Sequence, residues 1–121
     1  MQRQDSFYRF DLYYDLLLDH DILIDAGTGV GDLLVAELSL IDHIFVTHSH
    51  MDHVNSIPFL ADTVGWMRDK PITVHATGET IAILKEHLFN WLLWPDFARI
   101  PDAKNPVLRY ETIALGRTVE L

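Results

Sequence analysis

The chain has 121 residues, enough for one small domain with a modest core, and its 49% apolar share marks it as globular rather than disordered. Nine Lys and Arg face eighteen Asp and Glu, a net charge of −9 that suits solubility and disfavours nucleic acid as a partner, because affinity for nucleic acid rests on neutralised phosphates. Cysteine is absent, which excludes disulfides and thiolate ligands; neither a signal-peptide core nor a membrane-length apolar run is present, so the expected location is cytoplasmic with no membrane partner.

In chain order, residues 7–10 and 13–18 are β-leaning, with aromatic and aliphatic side chains close together. Asp19, His20 and Asp21 form a polar turn, so residues 14–25 read as a hairpin with His20 exposed at its tip. Asp25 ends the hairpin before Gly27, Gly29 and Gly31, and an Asp in that place is a turn former. Alternate glycines permit positive φ or a close approach of the backbone to another group. GTGVGD echoes a dinucleotide-binding turn but lacks its third glycine. Asp32 is placed to cap a short helix carrying Leu33, Leu34, Ala36, Leu38 and Leu40. Residues 41–46 read as a buried strand. His43, in that strand, lies at the end away from the motif that follows and reads as structural.

That motif is His48, Ser49, His50, Met51, Asp52 and His53. It stands where a strand gives way to a helix, a usual place for an active site. In extended backbone, residues two apart face the same side, so His48 and His50 can present two imidazoles to one metal ion. Asp52 and His53 are adjacent, point in different directions and can serve a second ion. Imidazole and carboxylate suit zinc, manganese or iron, and the donor set does not choose among them.

Downstream, Asn55, Ser56 and Pro58 open a helix over residues 57–67, closed by Gly65 and then Asp69, Lys70 and Pro71. Residues 71–75 are a strand, and Thr77 caps a helix over 78–90 with Ile81, Leu84 and Leu88 on one face. Strand, helix, strand, helix predicts a βαβ arrangement with a partly parallel sheet, α/β (α+β) in class. His75, near its strand end, is either a half-buried strand histidine or part of a pocket lining. Residues 89–101 concentrate Phe89, Trp91, Leu92, Leu93, Trp94 and Phe97. They are core filling, an aromatic wall on which Trp94 stacks a purine base while Arg99 meets a phosphate, or a homodimer contact. Residues 107–112 and 118–121 are β-like.

THSHMDH (residues 47–53) matches the HxHxDH signature, and the chain resembles the metallo-β-lactamase fold superfamily. The likeness extends over ILIDAGTGVG (22–31), IPFL (57–60) and FNWLLWPDFARIP (89–101), and covers roughly residues 14–121. The last two stretches are similar to bacterial class II-like 3′,5′-cyclic-nucleotide phosphodiesterases; ribonuclease Z shares the motif and a similar glycine-rich turn. The resemblance implies an αββα sandwich, of which this chain would be the N-terminal half: a mixed sheet with helices on one face. It implies two divalent ions, zinc first, about 3.5–4 Å apart and held by His48, His50, Asp52 and His53, with Asp52 also orienting or deprotonating the nucleophilic water. Asp25 would be the buried carboxylate bracing the His loop, since metal-bound imidazoles donate their other N–H to such a group. The implied activity is hydrolysis of a small phosphodiester, a 3′,5′-cyclic nucleotide before RNA. The third His, bridging Asp and last His of the family have no match here. Residues 1–121 are therefore expected to be a single, truncated domain, catalytically incomplete alone, and association with another chain is the alternative role.

Overall fold

The computed structural model describes residues 9–12 and 15–121. Residues 7, 8, 13 and 14 of the expected strands lie outside them. Short β-leaning runs build one six-stranded sheet: β1 (Arg9–Leu12), β2 (Asp15–Leu18), β3 (Ile22–Ile24), β4 (His43–Phe45), β5 (Ile72–Ala76) and β6 (Leu108–Thr112), side by side in chain order. The first two pairings are antiparallel and the last three parallel. The β2–β3 hairpin turns through Asp19, His20 and Asp21 as expected; Asp19 adopts φ 53°, which Asp tolerates, and His20 is exposed.

Parallel neighbours need crossovers, supplied by α1 (Val35–Leu38), α2 (Met51–Val54), α3 (Ile57–Val64) and α4 (Gly78–His87). Each crossover moves one strand in the same direction, and crossovers share one hand, so the helices gather on one face of the sheet. There Leu23, Ile44, Val46, Ile72 and Val74 meet Ile57, Leu60 and Val64 of α3 and Ile81 and Leu84 of α4. The mixed sheet with helices on one face is the architecture expected. No helix among the described residues is long and apolar enough to cross a membrane.

Helix α3 carries Pro58 in its first turn and tightens into a 3₁₀ turn over Gly65–Met67. Gly65 has a packing reason to be glycine: a Cβ there would stand 2.8 and 2.9 Å from the two γ-methyls of Val107. Gly65→Ala is expected to lower stability by about 1–3 kcal/mol, as overpacking does, read from the urea midpoint; Val107→Ala in the same chain should restore part of it. Thr77 caps α4 as expected, its Oγ1 accepting the Thr80 N–H at 3.4 Å.

Two expected elements differ. Asp32 caps no helix: it ends a 3₁₀ turn (Thr28–Asp32), and α1 begins after Leu34, whose N–H donates to Glu37 Oε1 at 2.9 Å. A side chain reaching back from inside the helix does the capping, so the helix starts later and stays one turn long. Residues 118–121 form no strand. With His43, His75 and Arg117 they line a hollow of about 540 Å³ on the sheet face away from the helices.

Candidate metal centre

Strands β3 and β4 run parallel with Ile24 opposite Phe45, so the chain leaves both at one edge of the sheet. Asp25 follows β3; Thr47 and the His motif follow β4. Asp25 sits at φ 63°, a left-handed turn that Asp accepts better than most residues. Its N–H donates to Phe45 O at 2.7 Å, Ala26 N–H donates to His53 O at 2.8 Å, and Ser56 N–H donates to Ala26 O at 2.9 Å. These bonds fasten residues 25–27 to the α2 turn that carries Asp52 and His53.

The four motif side chains converge on one side of the sheet. Ligand atoms of His48, His50 and Asp52 all lie within 4.8 Å of one another. His53 Nε2 stands 3.4 Å from Asp52 Oδ2, and the rings of His48 and His53 are 4.1 Å apart. The spacing predicted two separate pairs. In the structure Asp52 stands between them, close to the His48–His50 group and to His53 alike.

Asp25 lies behind this loop, 3% exposed. Its Oδ1 accepts the Thr47 N–H at 2.8 Å; its Oδ2 accepts the Thr47 hydroxyl at 2.7 Å and the His53 Nδ1–H at 2.9 Å. Thr47 has then spent its one proton, so its Oγ1 accepts from His48 Nδ1–H at 2.9 Å. One carboxylate thus fixes two imidazoles in the Nδ1–H tautomer, His53 directly and His48 through Thr47. In that tautomer Nε2 is the ring atom able to ligate a cation, and at His53 it faces Asp52. That is the tautomer and the bracing a metal-bound histidine requires, so the residues present fit a divalent ion. Thr47 was not singled out from sequence; a hydroxyl residue immediately before the first His was the available signal.

A second buried carboxyl supports the same turn. Asp15, at the start of β2, is 2% exposed; its Oδ1 accepts the Gly27 N–H at 2.9 Å, and its Oδ2 has no partner among the described residues. Burial pushes its pKa up and Asp25 adds to that, against the Gly27 and Gly29 amides and His53. Gly27 itself leaves no room for a side chain, since a Cβ would overlap the Asp52 carbonyl oxygen. Among Gly27, Gly29 and Gly31, none takes positive φ; close approach, at Gly27, is the use made of them.

The structure brings the remaining expected residues to other neighbours. His75 is buried on β5, its Nε2 2.9 Å from His43 Nδ1 and its ring stacked 4.2 Å from Phe45. Burial first, then His43, lowers its pKa from 6.5 to about 4; Glu111 opposes this and Arg109 adds to it. The unfolded chain therefore takes up a proton below pH 6.5 that the folded chain refuses until about pH 4. The His75 contribution to stability should fall across that window by up to about 3 kcal/mol and level off below it. Urea midpoints from pH 7 to 4 should show this slope in the parent and a flatter one in His75→Gln. Trp94 packs edge-on to Phe59 at 5.3 Å, and Arg99 lies 3.6 Å from Asp96. Phe59, exposed on α3 beside Trp94, entered the sequence reading only as part of IPFL, because an apolar residue on a helix reads as core.

The chain belongs to the metallo-β-lactamase superfamily: the family model described as "Beta-lactamase superfamily domain" matches residues 20–121. It is similar to the "Probable 3′,5′-cyclic-nucleotide phosphodiesterase" of Yersinia pestis, 32% identical over 85 residues that cover 64% of this chain and 23% of that one. It is also similar to ribonuclease Z of Thermococcus kodakarensis, 36% identical over 80 residues, 63% of this chain and 26% of that one. Unliganded yeast PDE1 shares the fold with a TM-score of 0.62 at 22% identity, over 72% of this chain and 23% of that one. Zn(2+)-bound PqqB from Methylobacterium extorquens does so at 0.55 and 19%, over 82% of this chain and 33% of that one. The chain spans about a quarter of the length of the curated relatives it matches.

Proposed function

We propose that this chain carries the HxHxDH half of a dinuclear metal centre in a phosphodiester hydrolase, with small 3′,5′-cyclic nucleotides as the substrate class. The observation that carries the reading is the convergence of His48, His50, Asp52 and His53, with His48 and His53 both held in the metal-binding tautomer by Asp25. Divalent ions bound there, zinc in our reading, with manganese and iron suited to the same donors, supply Lewis-acid polarisation of a phosphoryl oxygen and a water of lowered pKa. His48, His50 and His53 hold and orient; Asp25 and Thr47 keep the rings from turning. Asp52 is exposed, and in this reading its carboxylate accepts a proton from an attacking water as well as ligating. The exposed Phe59 ring beside Trp94 offers a face for a base, and Arg99 a charge for a phosphate, if the substrate extends that far along α3. A net charge of −9 favours a small substrate over RNA. RNA processing is the second reading, and the similarity to ribonuclease Z is what supports it.

The test measures binding of Zn²⁺ and Mn²⁺, then hydrolysis of bis-p-nitrophenyl phosphate, a 3′,5′-cyclic nucleotide and a precursor tRNA by the full-length protein. Metal-dependent turnover of the cyclic nucleotide, lost in His48→Ala and Asp52→Ala, is expected. Turnover of the tRNA alone selects the second reading. Absence of metal binding defeats both and leaves association with another chain, through exposed residues such as Trp91 and Leu92, as the role to pursue.

A further inference from the structure

On β2, Asp15 and Leu17 face the same side of the strand, and both are buried. An apolar residue at position 15 would match its neighbour. A buried carboxyl with one oxygen unpartnered among the described residues is costly there, so its presence calls for a use beyond packing. The use is visible one contact away. Asp15 Oδ1 holds the Gly27 amide; Gly27 lies against the Asp52 carbonyl; and Ala26, next to it, is bonded to His53 O and to Ser56 N–H. The depth at which residues 26 and 27 sit therefore sets the seat of the α2 turn.

We propose that Asp15 is a positioning residue of the metal site: by holding the Gly27 amide it fixes the turn on which Asp52 and His53 are seated, and the affinity of that pair for a divalent cation depends on it. This rests on the reading that the four motif residues bind metal. Asp15 bonds the backbone of the turn, whereas Asp25 bonds a ligand side chain directly, which separates the two roles.

The experiment compares the full chain with Asp15→Asn and Asp15→Leu. Asn keeps an oxygen for the Gly27 N–H. Leu removes both the hold and the unpartnered oxygen while filling the space; Asp15→Ser, whose hydroxyl is too short to replace the carboxylate, serves if Leu does not fold. Calorimetric titration with Zn²⁺ or Mn²⁺ should show affinity about ten- to a hundredfold weaker in Leu or Ser, and close to the parent in Asn. Melting of the metal-free proteins measures the purely structural share. Parent-like affinity in Leu or Ser overturns the proposal, as does a loss shared equally by Asn and Leu that follows their melting temperatures. If the parent binds no ion, the metal reading itself fails. The ¹⁵N signals of the His53 imidazole in metal-free protein then decide the positioning role, and unchanged signals in Asp15→Leu overturn it.

Discussion

Gly27→Ala is expected to abolish divalent-ion binding and to destabilise the chain by about 3 kcal/mol or more, beyond the usual cost of overpacking. The added methyl falls on the Asp52 carbonyl oxygen, with Asp15 Oδ1 3.2 Å away on another side. What it meets first is backbone, which cannot rotate aside like a side chain. The backbone on both sides is also tied down, by the bonds Ala26 makes to His53 and Ser56 and by the bond from Gly27 to Asp15. Relief requires the α2 turn to move outward, and Asp52 and His53 go with it. Gly31→Ala is the control: a Cβ there meets nothing within 4 Å, and the change should stay within about 0.5 kcal/mol. Urea melts and zinc titrations of the two variants make the comparison. A Gly27→Ala protein with parent-like midpoint and affinity would show that the turn is not seated on this contact.

The second large effect is expected from Asp25→Asn. Asn tolerates the left-handed backbone at this position, so the turn survives. Its oxygen keeps the Thr47 N–H, but its NH₂ group replaces an acceptor that served two donors. The Thr47 hydroxyl must then reverse and give its proton to His48 Nδ1, while His53 can no longer donate from Nδ1. Both rings are driven toward the Nε2–H tautomer, which has no lone pair for a cation at that atom. One exchanged atom therefore disables two ligands. Ion affinity should fall by a hundredfold or more, the upper end for one supporting residue, because two ligands are affected. The loss of folding free energy should be only about 1–3 kcal/mol. Calorimetry with zinc and histidine ¹⁵N spectra would read both changes. Affinity reduced less than about tenfold would mean the tautomers are held by something else.

Much of the site was legible because its geometry is local. Two histidines two apart in extended backbone have little choice but to face one side, and Asp52 and His53 follow at a helix start. The crossovers were legible too, since β-leaning runs alternating with helical faces around Ile57 and Ile81 admit few arrangements. What escaped notice depends on contacts across the sheet. Asp15 reads as an ordinary polar residue of the hairpin until β2 is paired and its carboxyl is found bonded to Gly27. Thr47 reads only as the residue before the first His until Asp25 is placed behind it. His75 was left open between a pocket lining and a half-buried position, and its partner His43 comes from the neighbouring strand, which no spacing along the chain reveals. The expected strand over residues 118–121 had suitable side chains, but no described strand pairs with it.

The sequential order of the six strands bears on how the molecule assembles. Each strand docks beside the one made just before it, so every pairing closes only the segment that joins two chain neighbours. The entropic toll of loop closure is thereby divided into small instalments, a topology associated with rapid folding for a sheet with parallel pairs. Asp15, Asp25, Thr47 and the four motif residues all belong to the segment that ends before β5. A nascent chain could bring these groups together while β5 and β6 were still unpaired, provided that α3 had somewhere to bury Ile57 and Leu60.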